Sequence, residues 1–180
     1  MRILKKSTII AAVALLAVAM CFGSCSDDKS SSNPKAQMAA FIFHFDVSSD
    51  LLEVADITIT YKNADGKVTT TALTTDTWEK STTLSSFPAT AGYKVTVTRK
   101  SNELSKSTYT IGYNYTNEAA AAASANVFYG YLRDANSVIR TIPKDSVDSY
   151  VSRISANANF GYQVSSDESG YSSVKTSITF

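Results

Sequence analysis

The sequence predicts a mainly β protein in which two antiparallel sheets pack as a sandwich. Serine, threonine and aromatic residues are abundant, and ten Tyr and eight Phe contribute to a composition typical of strands. Several short segments alternate apolar and polar residues with a period of two, which is the pattern of a half-buried strand. Roughly seven to nine such segments, separated by turn residues at short intervals, favour an antiparallel β-sandwich.

The first predicted strand covers residues 39–47, where three Phe residues and a Val fall on one face. A hairpin follows it, with strands predicted over residues 55–62 and 67–73. Asp65-Gly66 lies between these two strands, and Gly there supplies the positive φ that a tight hairpin turn needs. Together these segments predict three successive strands.

The rest of the chain is predicted as further strands with two short helices. The remaining predicted strands are 82–87, 107–115, 126–133, 137–142, 158–165 and 173–180. The Ala run at residues 117–125 predicts about two helical turns with Asn117 as the N-cap. Apolar residues at positions 147, 150, 151 and 154 share one helical face and predict a second helix.

A short motif adds detail to the predicted sandwich. Segment 87–98 passes from a Pro/Gly turn to Tyr93, which is followed by alternating Val residues. It resembles the start of a strand in many Ig-like sandwiches, where a corner Tyr bonds back to the backbone. The resemblance implies an Ig-like sandwich over residues 38–180. An alternative is an Ig-like unit over about 38–112 with a small C-terminal α+β or β extension, and a seam near 117–125.

The first 24 residues predict a removable secretory signal. Arg2, Lys5 and Lys6 precede an uncharged apolar stretch at residues 8–22, and small residues precede Cys25. The apolar stretch is shorter than the roughly 20 residues that a membrane-spanning helix needs. Cleavage before Cys25 would leave that residue at the start of the mature chain.

The segment Gly23-Ser24-Cys25 resembles a bacterial lipobox, in which the Cys thiol receives a diacylglycerol. The resemblance implies that Cys25 is acylated and holds the protein on outer-membrane lipid. Cys21 fits this role less well because the bulky Met20 precedes it. A Cys21–Cys25 disulfide is the alternative, and cleavage before Cys25 would remove it.

The four residues after Cys25, Ser-Asp-Asp-Lys, resemble the surface-export signal of Bacteroidota lipoproteins. This resemblance implies an outer-membrane protein that faces the cell exterior. The alternative is that the two Asp residues simply begin a solvated linker. In either case residues 25–37 are rich in Ser and charge, which predicts a flexible spacer up to about 40 Å long when fully extended.

Composition and motifs argue against several functional classes. Without the three basic residues of the signal, the 17 basic residues fall to 14, against 16 acidic ones, which gives no electrostatic reason to expect nucleic acid. His44 is the single His, and a lone His is more often structural than a metal ligand. The chain has no P-loop, G-x-G-x-x-G, H-E-x-x-H or G-x-S-x-G motif. We therefore expect no catalytic residue, metal or cofactor.

Aromatic residues give the one candidate binding surface. Trp78 lies among polar residues, and Tyr113 and Tyr115 alternate on one predicted strand as Tyr129 and Tyr131 do on the next. Exposed rings of this kind stack on sugars, because they offer flat apolar area with a polar handle. The alternative is that these rings line the sandwich core or its rim.

These features predict a cell-surface lipoprotein whose domain is a non-catalytic binding or structural accessory module. Two alternatives stay open: a carbohydrate-binding accessory of a glycan-uptake system, and a pilus-like subunit that assembles by strand addition. The expected partners are membrane lipid and a glycan or protein at the cell surface. Asp145-Ser146-Val147 also resembles the O-glycosylation pattern of Bacteroidota, which makes Ser146 a candidate modification site.

Overall fold

The predicted antiparallel β-sandwich is confirmed by the computed structural model, which describes residues 35–63, 65–124, 127–166 and 172–176. The strands are β1 (Met38–Val47), β2 (Ala55–Lys62), β3 (Val68–Ala72), β4 (Thr77–Leu84), β5 (Ala89–Arg99), β6 (Thr108–Ser124), β7 (Val127–Pro143), β8 (Asn159–Ser166) and β9 (Ser172–Thr176). The helices are α1 (Ser49–Val54) and α2 (Val147–Asn157). Cys21 and Cys25 lie outside the described residues.

The strands form two sheets. One has the order β4-β1-β6-β7 and the other the order β3-β2-β5-β8-β9, and every neighbouring pair is antiparallel. The pairings β1–β4, β2–β3 and β2–β5 are those of Ig strands B–E, C–C′ and C–F. The long β6–β7 hairpin then extends the first sheet beyond β1, and β8 pairs with β5 where an Ig fold has strand G. The first five strands therefore follow the Ig-like order.

The core is built around the inward face of β1. Phe41, Phe43 and Phe45 are fully buried there, and full burial of each such side chain contributes roughly 1.5–3 kcal/mol. The ring centroids of Phe43 and Tyr93 lie 5.3 Å apart, and those of Phe45 and Tyr113 lie 5.2 Å apart. Aromatic pairs at these separations add to the stabilisation from buried area alone. The alternation in the sequence thus becomes a layer of interlocking rings between the sheets.

Several local predictions agree with the structure. The β2–β3 hairpin forms as expected, and Gly66 has a φ of 81°. The four apolar residues at positions 147, 150, 151 and 154 are all buried along α2, which confirms the second helix. The strand predicted at 82–87 begins earlier, since β4 starts at Thr77. Among the described residues, the predicted strands 107–115, 126–133 and 137–142 fall largely within β6 and β7, which have 17 residues each.

The helix predicted over 117–125 is wrong for the residues described there, because residues 117–124 complete β6. β6 bonds to β1 on one side and to β7 on the other. These two ladders outweigh the helix propensity of Ala, which is the highest of any residue but differs from that of other ordinary residues by less than about 1 kcal/mol. Small side chains also suit the position, since Ala119 pairs with the bulky Phe41. β6 continues through the point where the two-part alternative places its seam.

Helix α1 was not predicted from the sequence. Its N-terminal cap also contacts a residue that is distant in the chain. The Leu51 amide donates to Ser48 Oγ over 3.3 Å, which is an N-cap. Ser48 Oγ also accepts from the Gly112 amide at 3.1 Å. Gly112 has a φ of 153°, and a Cβ there would lie 1.9 Å from the Val138 carbonyl oxygen. Only Gly allows β6 to pass this closely to β7.

The β5–β6 loop satisfies the other end of α1. Lys100 Nζ donates to the Leu52 carbonyl over 2.6 Å, and Asn102 Nδ2 donates to the Glu53 carbonyl over 3.3 Å. These are carbonyls that a helix C-terminus leaves without an internal partner.

Among the described residues, no helix is long and apolar enough to cross a membrane.

Candidate functional site

Trp78 lies on the inward side of β4 and is half-buried. It pairs with Phe45 in the β1–β4 register. Its ring centroid lies 4.9 Å from that of Tyr93 and 6.0 Å from that of Tyr61. The structure therefore places Trp78 at the rim of the core, where it covers one side of the sandwich, as the alternative interpretation of its sequence position expects.

Tyr113 and Tyr115 also belong to the core. Tyr113 is 4% exposed and stacks against Phe45. Tyr115 is half-buried, and its ring centroid lies 4.4 Å from that of Phe160 on the opposite sheet. Tyr113 therefore lies in the core, and Tyr115 lies at its rim against the opposite sheet.

Tyr129 and Tyr131 are exposed, at 36% and 58%, but they lie far from the other two tyrosines. Tyr131 pairs with Ala120, and Tyr115 lies five positions further along β6, a separation of about 17 Å. The odd number of positions puts Tyr115 and Tyr131 on opposite faces of the sheet. The four tyrosines therefore form no single row.

The structure adds a polar site that sequence analysis missed, centred on Asn117. This side chain is completely buried. Its Oδ1 accepts from the Tyr93 hydroxyl over 3.0 Å, and its Nδ2 donates to the Tyr162 hydroxyl oxygen over 2.9 Å. The Tyr93 hydroxyl bonds to a side chain here, whereas the Ig-like resemblance implied a bond to the backbone. The sequence contained one sign of this site: Asn117 follows Tyr113 and Tyr115 at intervals of two residues, so all three would share one face of a strand.

The chain of hydrogen bonds continues to Asp134 on β7. Tyr162 donates its hydroxyl proton to Asp134 Oδ2 over 2.8 Å, and Tyr115 donates to Oδ1 over 3.1 Å. We call Tyr93, Asn117, Tyr162, Asp134 and Tyr115 the inter-sheet network. It joins β6 and β7 of one sheet to β5 and β8 of the other.

The network keeps its tyrosines protonated. Burial raises the pKa values of Tyr93 and Tyr162 far above the ordinary value of 10.0. Burial and then the negative charge of Asp134 raise the pKa of Tyr115 to about 12. These hydroxyls therefore stay protonated near neutral pH and act as hydrogen-bond donors within the network.

His44 lies on the outward face of β1 between two carboxylates. Its Nδ1 is 2.7 Å from Glu79 Oε1, and its Nε2 is 2.8 Å from Asp46 Oδ2. The Thr77 hydroxyl donates to the other oxygen of Asp46 over 2.8 Å. In the described parts of the chain, no group of three His, Cys, Asp or Glu residues is arranged to hold a metal ion. His44 links β1 to β4 in this arrangement.

Ser146 ends a short 3-10 turn, Lys144–Ser146, that leads into α2. Its carbonyl accepts from the Ser149 hydroxyl over 3.0 Å, and its own hydroxyl makes no capping bond to α2. Ser146 is partly exposed, and Asp145 beside it is exposed. The modification expected at Ser146 stays a prediction.

The candidate surface is thus reduced to the end of the β6–β7 hairpin that carries Tyr129 and Tyr131. Comparison with protein-family models, curated proteins and solved structures finds no match for this chain. Of the five aromatic residues that the sequence singled out, three line the core and two stay accessible. Cys25, the predicted lipidation site, lies outside the described residues.

We predict that the protein loses stability at alkaline pH through the inter-sheet network. The pKa of Tyr115 is about 12 in the folded protein, against an ordinary 10.0 for the unfolded chain. Between these values the unfolded chain releases a proton that the folded one keeps. The free energy of unfolding should therefore be fully retained below pH 10 and fall as the pH rises through about 12. Chemical denaturation at a series of pH values measures this.

Tyr115→Phe is the matching variant, since Phe has no proton to lose. Its free energy of unfolding should fall less steeply between pH 10 and 12 than that of the unaltered protein. Equal slopes for the two proteins would contradict the role assigned to Tyr115.

Proposed function

We propose that the protein is a cell-surface lipoprotein, anchored to the outer membrane through acylated Cys25, whose sandwich is a non-catalytic binding or structural module. The main support for the proposal is the lipobox-like segment Gly23-Ser24-Cys25, which lies a short distance before the folded domain. The Gln37 amide already donates to the Ala122 carbonyl over 2.8 Å. The predicted linker, residues 25–37, would connect the anchor to the folded domain.

A non-catalytic role is supported by what the polar side chains do. His44 and Asp134 each bond to two neighbouring side chains, and both sets of bonds join strands. Lys106 Nζ lies 2.6 Å from Asp50 Oδ1 and 2.5 Å from Glu53 Oε2, so it holds α1 against the chain ahead of β6. These groups stabilise the fold, and the exposed part of the hairpin is free to contact a partner.

Replacement of Cys25 by Ala tests the anchor. The variant has no thiol at the processing site, so it should incorporate no fatty-acid analogue in metabolic labelling, and its domain should be released or mislocalised. Proteolysis of intact cells should digest the unaltered protein if its domain faces the exterior. A Cys21→Ala variant is the control and should behave like the unaltered protein. Fatty-acid label that persists in Cys25→Ala would contradict the proposal.

A second candidate function is assembly by strand addition at β3. All five residues of β3 are exposed, and Val68 is 55% exposed. Among the described strands, β3 pairs only with β2. Natural edge strands usually carry a charge, a Pro or a bulge that prevents pairing with another chain, and the sequence of β3, VTTTA, has neither a charged residue nor a Pro. This edge is suited to accept an extended strand.

Thr71→Lys tests this second candidate, because a charge on the free edge opposes strand pairing. If β3 mediates assembly, oligomers in native membrane extracts should dissociate in the variant. Its free energy of unfolding should change by no more than about 0.5 kcal/mol, since Thr71 is exposed. Lys added instead at Thr141, which is exposed on β7, should leave the oligomers intact. Finding only monomers of the unaltered protein would refute the candidate.

A further inference from the structure

The end of the β6–β7 hairpin has an unusual composition. No charged residue occurs between Glu118 and Arg133, although charged residues make up 18% of the chain. This interval consists of Ala, Val, Phe, Tyr, Leu and Gly with one Ser and one Asn, and it contains both exposed tyrosines, Tyr129 and Tyr131. Residues at an exposed hairpin end are ordinarily polar, because they face water.

The strand register extends this uncharged surface onto the neighbouring strand. Tyr131 pairs with Ala120, and Ala120 pairs with Ala40 of β1, so all three side chains lie on the outward face. The next outward residue of β1, Ile42, is half-buried. Arg133 and Glu118 border the surface with an ion pair of 3.4 Å. Ala120 itself is only 5% exposed. We call the exposed Tyr129 and Tyr131, together with the half-buried Ala40 and Ile42, the hairpin-end surface.

The hairpin-end surface lies where the chain enters the domain. Met38 pairs with Ala122, near the end of β6, and Gln37 bonds to the same residue. Twelve positions separate Gln37 from Cys25, and a flexible spacer of that length spans about 20 Å on average. A lipid on Cys25 would therefore hold this end of the sandwich next to the bilayer.

We propose that the hairpin-end surface docks in the interfacial region of the membrane that holds Cys25. This inference rests on the proposed anchor. Tyr suits such a position, because its ring is apolar and its hydroxyl can stay in contact with lipid headgroups and water. The tether raises the effective concentration of the surface near the bilayer into the millimolar range, so a small apolar area suffices. Docking fixes the orientation of the sandwich and turns the α1 end away from the membrane.

A single introduced thiol tests this inference. The mature acylated protein has no free thiol, since its signal carries Cys21 and lipid occupies Cys25. Tyr131→Cys therefore places a unique environment-sensitive fluorophore on the hairpin-end surface. Ile139→Cys is the matched control, because Ile139 is an exposed apolar residue on the same strand and the same face, about 27 Å away.

Both labelled proteins are reconstituted as processed full-length chains into phosphatidylcholine vesicles that contain lipids with a quencher near the headgroup. We expect several-fold stronger quenching and a blue-shifted emission at position 131, and detergent should abolish the difference. Equal quenching at the two positions would overturn the docking. A shift at position 131 that persists in detergent and grows with protein concentration would also overturn it, because it would show that another copy of the chain covers the surface.

Two controls separate the possible failures. Equal unfolding temperatures for the two labelled proteins show that both are folded, and Tyr129→Cys replaces Tyr131→Cys if they differ. Fatty-acid labelling of the same preparation reports acylation directly. A labelled protein with equal quenching refutes the docking and leaves the anchor intact. A protein without fatty-acid label refutes the anchor, and the docking that depends on it fails as well.

Discussion

The two sheets are joined at their centre by the inter-sheet network, and the rest of the structure depends on that join. A mature domain that follows Cys25 has no other cysteine, so side-chain packing and hydrogen bonds alone hold its layers together. Asn117 is the central member, since its amide bonds to a Tyr on each side. Buried polar groups stabilise a fold when each has a partner and cost free energy when one is left unpaired. The network therefore selects one alignment of the two sheets.

This constraint also determines which aromatic residues can reach a partner. Tyr115 bonds to Asp134, and Trp78 lies against Tyr93. These rings, which the sequence analysis proposed as part of a binding surface, therefore pack inside the sandwich or at its rim. The part of the β6–β7 hairpin that lies beyond Asn117 and Asp134 contributes no side chain to the network. Its end carries Tyr129 and Tyr131 on the surface next to the place where the chain enters the domain.

Local patterns in the sequence predicted much of the fold, and contacts between distant residues account for the rest. Alternation over β1 and β2 and the apolar stripe of α2 are local signals, and each led to the right element. The Ala run was wrongly predicted as a helix because the two strands that pair with it are not part of its local sequence. β1 lies far earlier in the chain, and β7 follows the run. Helix α1 was missed because Gly112 and the β5–β6 loop complete its ends. Asn117 could be placed only once Tyr93 and Tyr162 were known to face it from the other sheet.

A double-mutant cycle between Tyr93→Phe and Asp134→Ala tests most directly whether the network acts as a unit. The two residues do not bond to each other, and Asn117 and Tyr162 connect them. The structure predicts a coupling of about 1 kcal/mol or more in the free energy of unfolding. The cycle of Tyr93→Phe with Arg133→Ala, a neighbour on the outward face, should show additivity. Additivity within about 0.5 kcal/mol for the Tyr93 and Asp134 pair would contradict the central role of the network.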